Sequence, residues 1–151
     1  MRIFNTTGPR KVGDVCADFT KQLAAIDLGL QAPVIKVGNL ETRRAITDVR
    51  DELRGFVLAM QHCKAGEAYN ISGSKAYLIR DILETAISFC KIKPKIEVDQ
   101  QLLRPTDESI IFGDDTRLKT LTGWQQEIPI EQTLKDMLAW WKNKLSTSTE
   151  K

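Results

Sequence analysis

Val37-Gly38-Asn39-Leu40-Glu41-Thr42-Arg43-Arg44-Ala45-Ile46-Thr47-Asp48-Val49-Arg50-Asp51 is the stretch on which the reading of the fold turns. It reads as a short strand, a tight turn at Gly38-Asn39, a basic pair, and then a helix entered through an acidic residue. Thr47 or Asp48 supplies the cap of that helix, because a short oxygen-bearing side chain can accept from the free N–H groups of the first turn. Val49, Leu53, Phe56, Val57 and Met60 then recur at helical spacing and form its expected apolar stripe. Two arginines beside the turn suit an anion, since a guanidinium meets phosphate oxygens with two parallel hydrogen bonds.

Working outward, residues 2–5 alternate toward a strand that Gly8-Pro9 ends. Asp14 caps an expected helix over 15–29, with Val15, Phe19, Leu23, Ile26 and Leu30 on one face. Pro33 opens the strand 34–37. Downstream, 68–71 reads as a strand closed by Gly73, and Ser74 as the cap of a helix from Tyr77 to Cys90. Pro94 separates that helix from a strand at 95–98, and Ile110-Ile111-Phe112 forms another short strand. A short helix starts at Asp115 or Thr116 and ends near Gly123. The last helix spans Glu131 to Leu145, with Ile130, Leu134, Met137, Leu138 and Trp141 on its core side. Residues 146–151 read as a frayed polar tail. The expectation is one α/β domain over 1–145, with no internal repeat or long linker.

Composition narrows the function. A chain of 151 residues supports one domain with a core. A net charge of +2 argues against a generally basic, nucleic-acid-binding surface, so a phosphate ligand needs a local cluster. No apolar run reaches the length of a membrane span, and the start has no signal-peptide apolar region. Cytoplasmic residence is therefore expected. Cys16, Cys63 and Cys90 are widely spaced with no Cys-x-x-Cys, which reads as reduced thiols without a metal. His62 reads as a surface residue at a helix end. Asp107-Glu108 and Asp114-Asp115 do not make a convincing acid–base pair, and a helix start explains the second. Trp124 and Trp141 read as packing residues rather than sugar-stacking ones.

Five blocks of the chain resemble, in order and spacing, the carboxyl-terminal half of extended short-chain dehydrogenases that act on nucleotide sugars. Arg2-Ile3-Phe4-Asn5-Thr6-Thr7-Gly8-Pro9-Arg10 is similar to the family's strand and loop after its catalytic Tyr-x-x-x-Lys helix. The opening stretch resembles the region at the substrate diphosphate. Gly66-Glu67-Ala68-Tyr69-Asn70-Ile71-Ser72-Gly73 resembles a family strand, and Leu103-Arg104-Pro105-Thr106-Asp107 a nucleotide-binding loop. Gly113-Asp114 through Gly123-Trp124 and Ile128-Pro129-Ile130 resemble the family's ending. The nearest branch is the GDP-mannose enzymes, GDP-4-keto-6-deoxymannose reductases first and GDP-mannose 4,6-dehydratases second. Asp18-Phe19 stands where the dehydratases carry an Arg-Lys pair, which favours the reductases.

The resemblance implies a fold class: α/β, the substrate-binding part of an extended short-chain dehydrogenase lacking most of the amino-terminal Rossmann sheet. It implies a substrate, a GDP-linked hexose, and substrate-binding roles for five residues. Asn5 would bind the diphosphate or the hexose, Arg44 a phosphate, Arg104 the diphosphate, and Asp107 the ribose hydroxyls or the guanine. Asn39 would touch the nucleotide or simply form the turn. At Ala45-Ile46 the chain lacks the family's Asp and aromatic residue, so the salt bridge that orients the arginine is expected to be lost. No catalytic residue is expected, because neither a Gly-x-x-Gly-x-x-Gly turn nor a Tyr-x-x-x-Lys occurs. NADP or NAD would serve the complete enzyme without binding this chain alone. A separate amino-terminal Rossmann chain is a possible partner; a non-catalytic nucleotide-sugar module and an inactive remnant are the alternatives. The strands at 2–5 and 68–71 would belong to the absent sheet. Without that sheet their backbone groups would be unpaired, so either that partner completes them, or they pair differently here, or the chain is a marginal fragment.

Overall fold

The computed structural model describes residues 1–103 and 106–149. Its strands are β1 (Arg2–Ile3), β2 (Thr6–Thr7), β3 (Val34–Val37), β4 (Arg43–Ala45), β5 (Thr47–Asp48), β6 (Asn70–Ile71), β7 (Ala76–Leu78), β8 (Lys95–Val98) and β9 (Ile110–Ile111). Its helices are α1 (Val15–Asp27), α2 (Val49–His62), α3 (Ile79–Ser88), α4 (Thr116–Thr122) and α5 (Ile130–Thr149). The α/β class expected from sequence is what the chain adopts.

The principal core lies where α1, α3 and α5 meet β3. Phe19, Leu23, Ile35, Val37, Ile82, Leu83, Leu134 and Met137 are all buried there. Asp14 caps α1 as expected, its carboxylate accepting from Ala17 N–H at 2.7 Å. The helix stops at Asp27, two residues before the expected end, because Gly29 turns left-handed at φ 72°. Leu30 therefore leaves the apolar face and is exposed. The Asp27 carboxylate then gathers Lys91 N–H, Ile92 N–H and the Lys142 ammonium, joining the ends of α1 and α3 to α5. On α5 the expected core side is confirmed. That helix runs on past Leu145 to Thr149, with Ser146 Oγ donating back to Lys142 O.

Among the described residues the strands form four small sheets. β1 and β6 pair in parallel with each other, Arg2 opposite Asn70 and Ile3 opposite Ile71. The two strands that the resemblance assigned to the absent sheet therefore pair with each other, and neither lies unpaired. β2 pairs with β5 and β3 with β8, both parallel. The exposed side of β3 is closed by a side chain: the Gln22 amide donates to Lys36 O and accepts from Lys36 N–H, both at 2.9 Å. β4 lies between β7, antiparallel, and β9, parallel. The basic pair Arg43-Arg44, for which no element was expected, lies on strand β4. One expectation is corrected here. Tyr77 belongs to β7, not to α3, which starts at Ile79 without a side-chain cap from Ser74.

The largest correction concerns α2. Its cap is Asp48, but its expected apolar stripe is split: Val49 and Phe56 are half-buried, Phe56 against the Ile71 and Trp124 cluster, while Leu53, Val57 and Met60 are 55%, 49% and 81% exposed. The buried face is Asp51, Glu52, Gly55 and Ala59. Gly55 permits this approach, since a Cβ there would collide with Ile71 Cδ1 and lie 3.0 Å from Trp124 Nε1. Polar burial is compensated by specific bonds. Asp51 accepts from the N–H groups of Glu127 (3.0 Å) and Ile128 (2.8 Å) and from Arg54 (2.5 Å), while Trp124 Nε1–H donates to Asp51 O. Asp48 likewise accepts from Arg50 and from Thr133 Oγ1–H on α5.

Candidate functional site

A cleft of about 1160 Å³ opens between the amino-terminal half of α1, the carboxyl end of β3, strand β4 and the segment around Leu103 and Asp107. Four of the five residues singled out from sequence line it: Asn5, Asn39, Arg44 and Asp107. Arg104 lies outside the described residues.

Arg44 is the best-held of the four. Its strand is the middle one of three, so its backbone is fixed on both sides. Its guanidinium donates from Nη1 to Arg43 O (2.8 Å) and Glu108 O (2.7 Å), and from Nη2 to Asp107 Oδ1 (2.5 Å). The two charged side chains are 13% and 19% exposed, so this pair is poorly screened by solvent. The expected loss of an orienting salt bridge is thus corrected. An acid 63 residues downstream supplies it in place of a neighbour in the sequence.

Asn5 joins β1 to β2 with φ 33°, a left-handed conformation that asparagine tolerates better than most residues. Its carbonyl accepts from Thr47 N–H at 3.1 Å. Among the described residues its side-chain amide has no hydrogen-bond partner, which leaves both ends of that amide available to a ligand. Asn39 is used locally: its Oδ1 accepts from Glu41 N–H at 2.9 Å, the turn-forming role. Arg43 is exposed at the edge of this region, and Arg10, also exposed, has φ 74° just after the buried Gly8.

α1 and the residues just before it form one wall of the cleft, lined by Lys11, Asp14, Asp18 and Lys21; the resemblance pointed to Lys11 and Asp18 here, and Asp14 and Lys21 were not singled out for the site. Burial pushes the Asp14 carboxyl up, against the pull of Ala17 N–H and the Lys11 charge. Burial likewise raises Asp18, opposed by Lys21. The cleft therefore carries mixed charge, with Arg44 as its most enclosed cation. Cys16 lies at the same wall, yet its thiol is raised far above the ordinary range by burial and then by the Asp14 charge, so it is no nucleophile. Among the described residues no cluster of His, Cys, Asp and Glu could hold a metal. No described helix is long and apolar enough to cross a membrane. The arrangement is one for binding an anionic, hydroxyl-bearing ligand: a fixed guanidinium, a carboxylate beside it and a free amide across the cleft.

Residues 1–137 match the profile of the family described as GDP-mannose 4,6 dehydratase. GDP-6-deoxy-D-mannose reductase of Pseudomonas aeruginosa is 31% identical over 145 residues, which is 95% of this chain and 48% of the reductase. GDP-mannose 4,6 dehydratase 1 of Arabidopsis thaliana is 24% identical over 139 residues, covering 90% of this chain and 38% of that protein. In three dimensions the chain superposes on RMD from Pseudomonas aeruginosa, solved in complex with NADPH, with a TM-score of 0.88 over 95% of this chain and 48% of that one. UDP-glucose 4-epimerase of Thermotoga maritima, 22% identical, shares the fold with a TM-score of 0.76, over 95% of this chain and 45% of the epimerase. The chain spans about half the length or less of each relative.

Proposed function

We propose that this chain, which belongs to the GDP-mannose 4,6 dehydratase family, is the substrate-holding part of a reductase acting on a GDP-linked 4-keto-6-deoxyhexose. The observation that carries the proposal is the convergence in one cleft of Asn5, Arg44 and Asp107, brought together from three distant parts of the chain. Identity to the reductase relative exceeds that to the dehydratase one, and Asp18-Phe19 on α1 supports the same choice.

Each residue has a task in this reading. Arg44 holds a phosphate of the nucleotide diphosphate with a guanidinium already fixed by two carbonyls. Asp107 accepts hydrogen bonds from ribose hydroxyls. Asn5, with its free amide, binds the hexose side of the diphosphate. Binding energy gathered on the nucleotide, remote from the reacting carbon, then orients the sugar carbonyl.

In this reading the chain does not by itself hold the dinucleotide. None of the nine glycines forms the spaced triplet of a dinucleotide turn. The space beside Gly38 is filled by the Leu102 backbone and that beside Gly73 by the Ile46 backbone. NADPH or NADH accordingly belongs, in this reading, to an amino-terminal part outside this chain. The outward stripe of α2 and the exposed strand β1 are the surfaces that part would cover, since contiguous exposed apolar side chains mark contact sites.

Calorimetric titration of GDP into the chain and its Arg44→Ala variant tests the proposal. GDP binding that weakens at least about tenfold in the variant, the size expected for loss of a charged hydrogen bond, supports it. Equal affinities would contradict it.

A further inference from the structure

The Arg44 guanidinium already has an anion. Asp107 Oδ1 sits 2.5 Å from Nη2, in a position where a ligand's phosphate oxygen would compete for the same donor. The two contacts are not equivalent. The bonds from Nη1 to Arg43 O and Glu108 O are to backbone, and they keep the guanidinium aimed whether or not the carboxylate is present. Asp107 reaches across on a single rotatable side chain, so it can leave without Arg44 moving.

From this geometry we infer that Asp107 is the specificity residue of the cleft: it withholds Arg44 from anions that have no hydroxyls to offer in return. The inference rests on the proposed phosphate role of Arg44. A bare phosphate or pyrophosphate that displaces Asp107 leaves a largely covered carboxylate without a partner, and such a group is costly to strand. A nucleoside diphosphate displaces the same carboxylate and supplies ribose O–H donors to it. The exchange is then close to balanced for the nucleotide and unfavourable for the bare anion. Discrimination comes from the repulsive side of the site as much as from its attractive side.

The test is titration of inorganic pyrophosphate and of GDP into the wild-type chain, Asp107→Asn and Asp107→Ala. Each variant's fold is checked by its thermal melt, and two are used so that one failure to fold leaves the other. Opposite shifts are expected. Pyrophosphate binds about three- to tenfold tighter to the variants, as loss of a competing ion pair allows, while GDP binds more weakly. Pyrophosphate affinity that stays the same or falls, with GDP still bound by the wild type, overturns the inference and leaves the phosphate role of Arg44 standing. Absence of GDP binding in the wild type overturns that role and the inference together.

Discussion

The two sides of the molecule differ in what their helices bury. Around α1, α3 and α5, apolar side chains point inward and close on one another: Leu23, Leu83, Leu134 and Met137 have no measurable exposure. Around α2 the order is reversed. Asp51 and Glu52 are inside, and Leu53, Val57 and Met60 outside. The first side is held mainly by nondirectional apolar burial; the second joins a smaller apolar cluster of Ala59, Ile71, Leu118 and Trp124 to directional bonds made by Asp48 and Asp51. Leu53, Val57 and Met60 of α2, and Ile3 of β1, are thereby left turned to solvent.

The sharpest way to break this comparison is in the sealed core. Leu83→Ala leaves a cavity among α1, α3 and α5 and should cost about 2–5 kcal/mol in denaturant unfolding. A loss below about 1 kcal/mol would mean that this side is not close-packed. Next comes the directional side. Asp51→Ala strands the N–H groups of Glu127 and Ile128, each worth roughly 1–3 kcal/mol when buried without a partner. A total near 2–4 kcal/mol is expected, with Asp51→Asn recovering part of it. An Asp51→Ala protein as stable as wild type would show that α2 is not held by these bonds.

Acid titration probes both sides together. Burial alone would raise the Asp48 carboxyl, but the Arg50 guanidinium, Arg50 N–H and Thr133 hydroxyl outweigh it and hold it below its ordinary value. Burial also opposes Asp27, where Lys142 and the N–H groups of Ile92 and Lys91 prevail. Both folded values are lowered. Their stabilisation is therefore complete above the unfolded carboxylate range near pH 4, and is lost as pH falls through the lower folded values. Unfolding midpoints measured from pH 6 downward should drop below about pH 4, and less so in Asp48→Asn. The smallest effect belongs to the outer face of α2. Met60→Lys should change stability by no more than about 0.5 kcal/mol, because Met60 is 81% exposed. A loss above about 1 kcal/mol would mean that this face is covered in solution.

The same contrast explains what was legible in the sequence. The caps Asp14 and Asp48, the strands β3 and β8 and the core face of α5 follow local rules, in which hydropathy and burial agree. On α2 they disagree, because the residues that decide its orientation are the carboxylate of Asp51, bonded 76 and 77 residues away, and a glycine admitting Ile71. Hydropathy alone puts Leu53, Val57 and Met60 on the wrong side. β7 is three residues long and runs directly into α3, so Tyr77 reads as a first helical turn until its strand partner Arg44 is known. Within the site, the resemblance placed Asn5, Asn39, Arg44 and Asp107 on the cleft. The pairing of Arg44 with Asp107 is a long-range contact that no local pattern announces.

The most direct test of the central claim, that this cleft holds a nucleoside diphosphate, is the thermal melt of the chain with and without saturating GDP. A ligand that binds only the folded state must raise its midpoint. The account predicts one cooperative transition that moves up with GDP in the wild type and stays put in Arg44→Ala. A cooperative transition that GDP leaves unmoved in the wild type would contradict it.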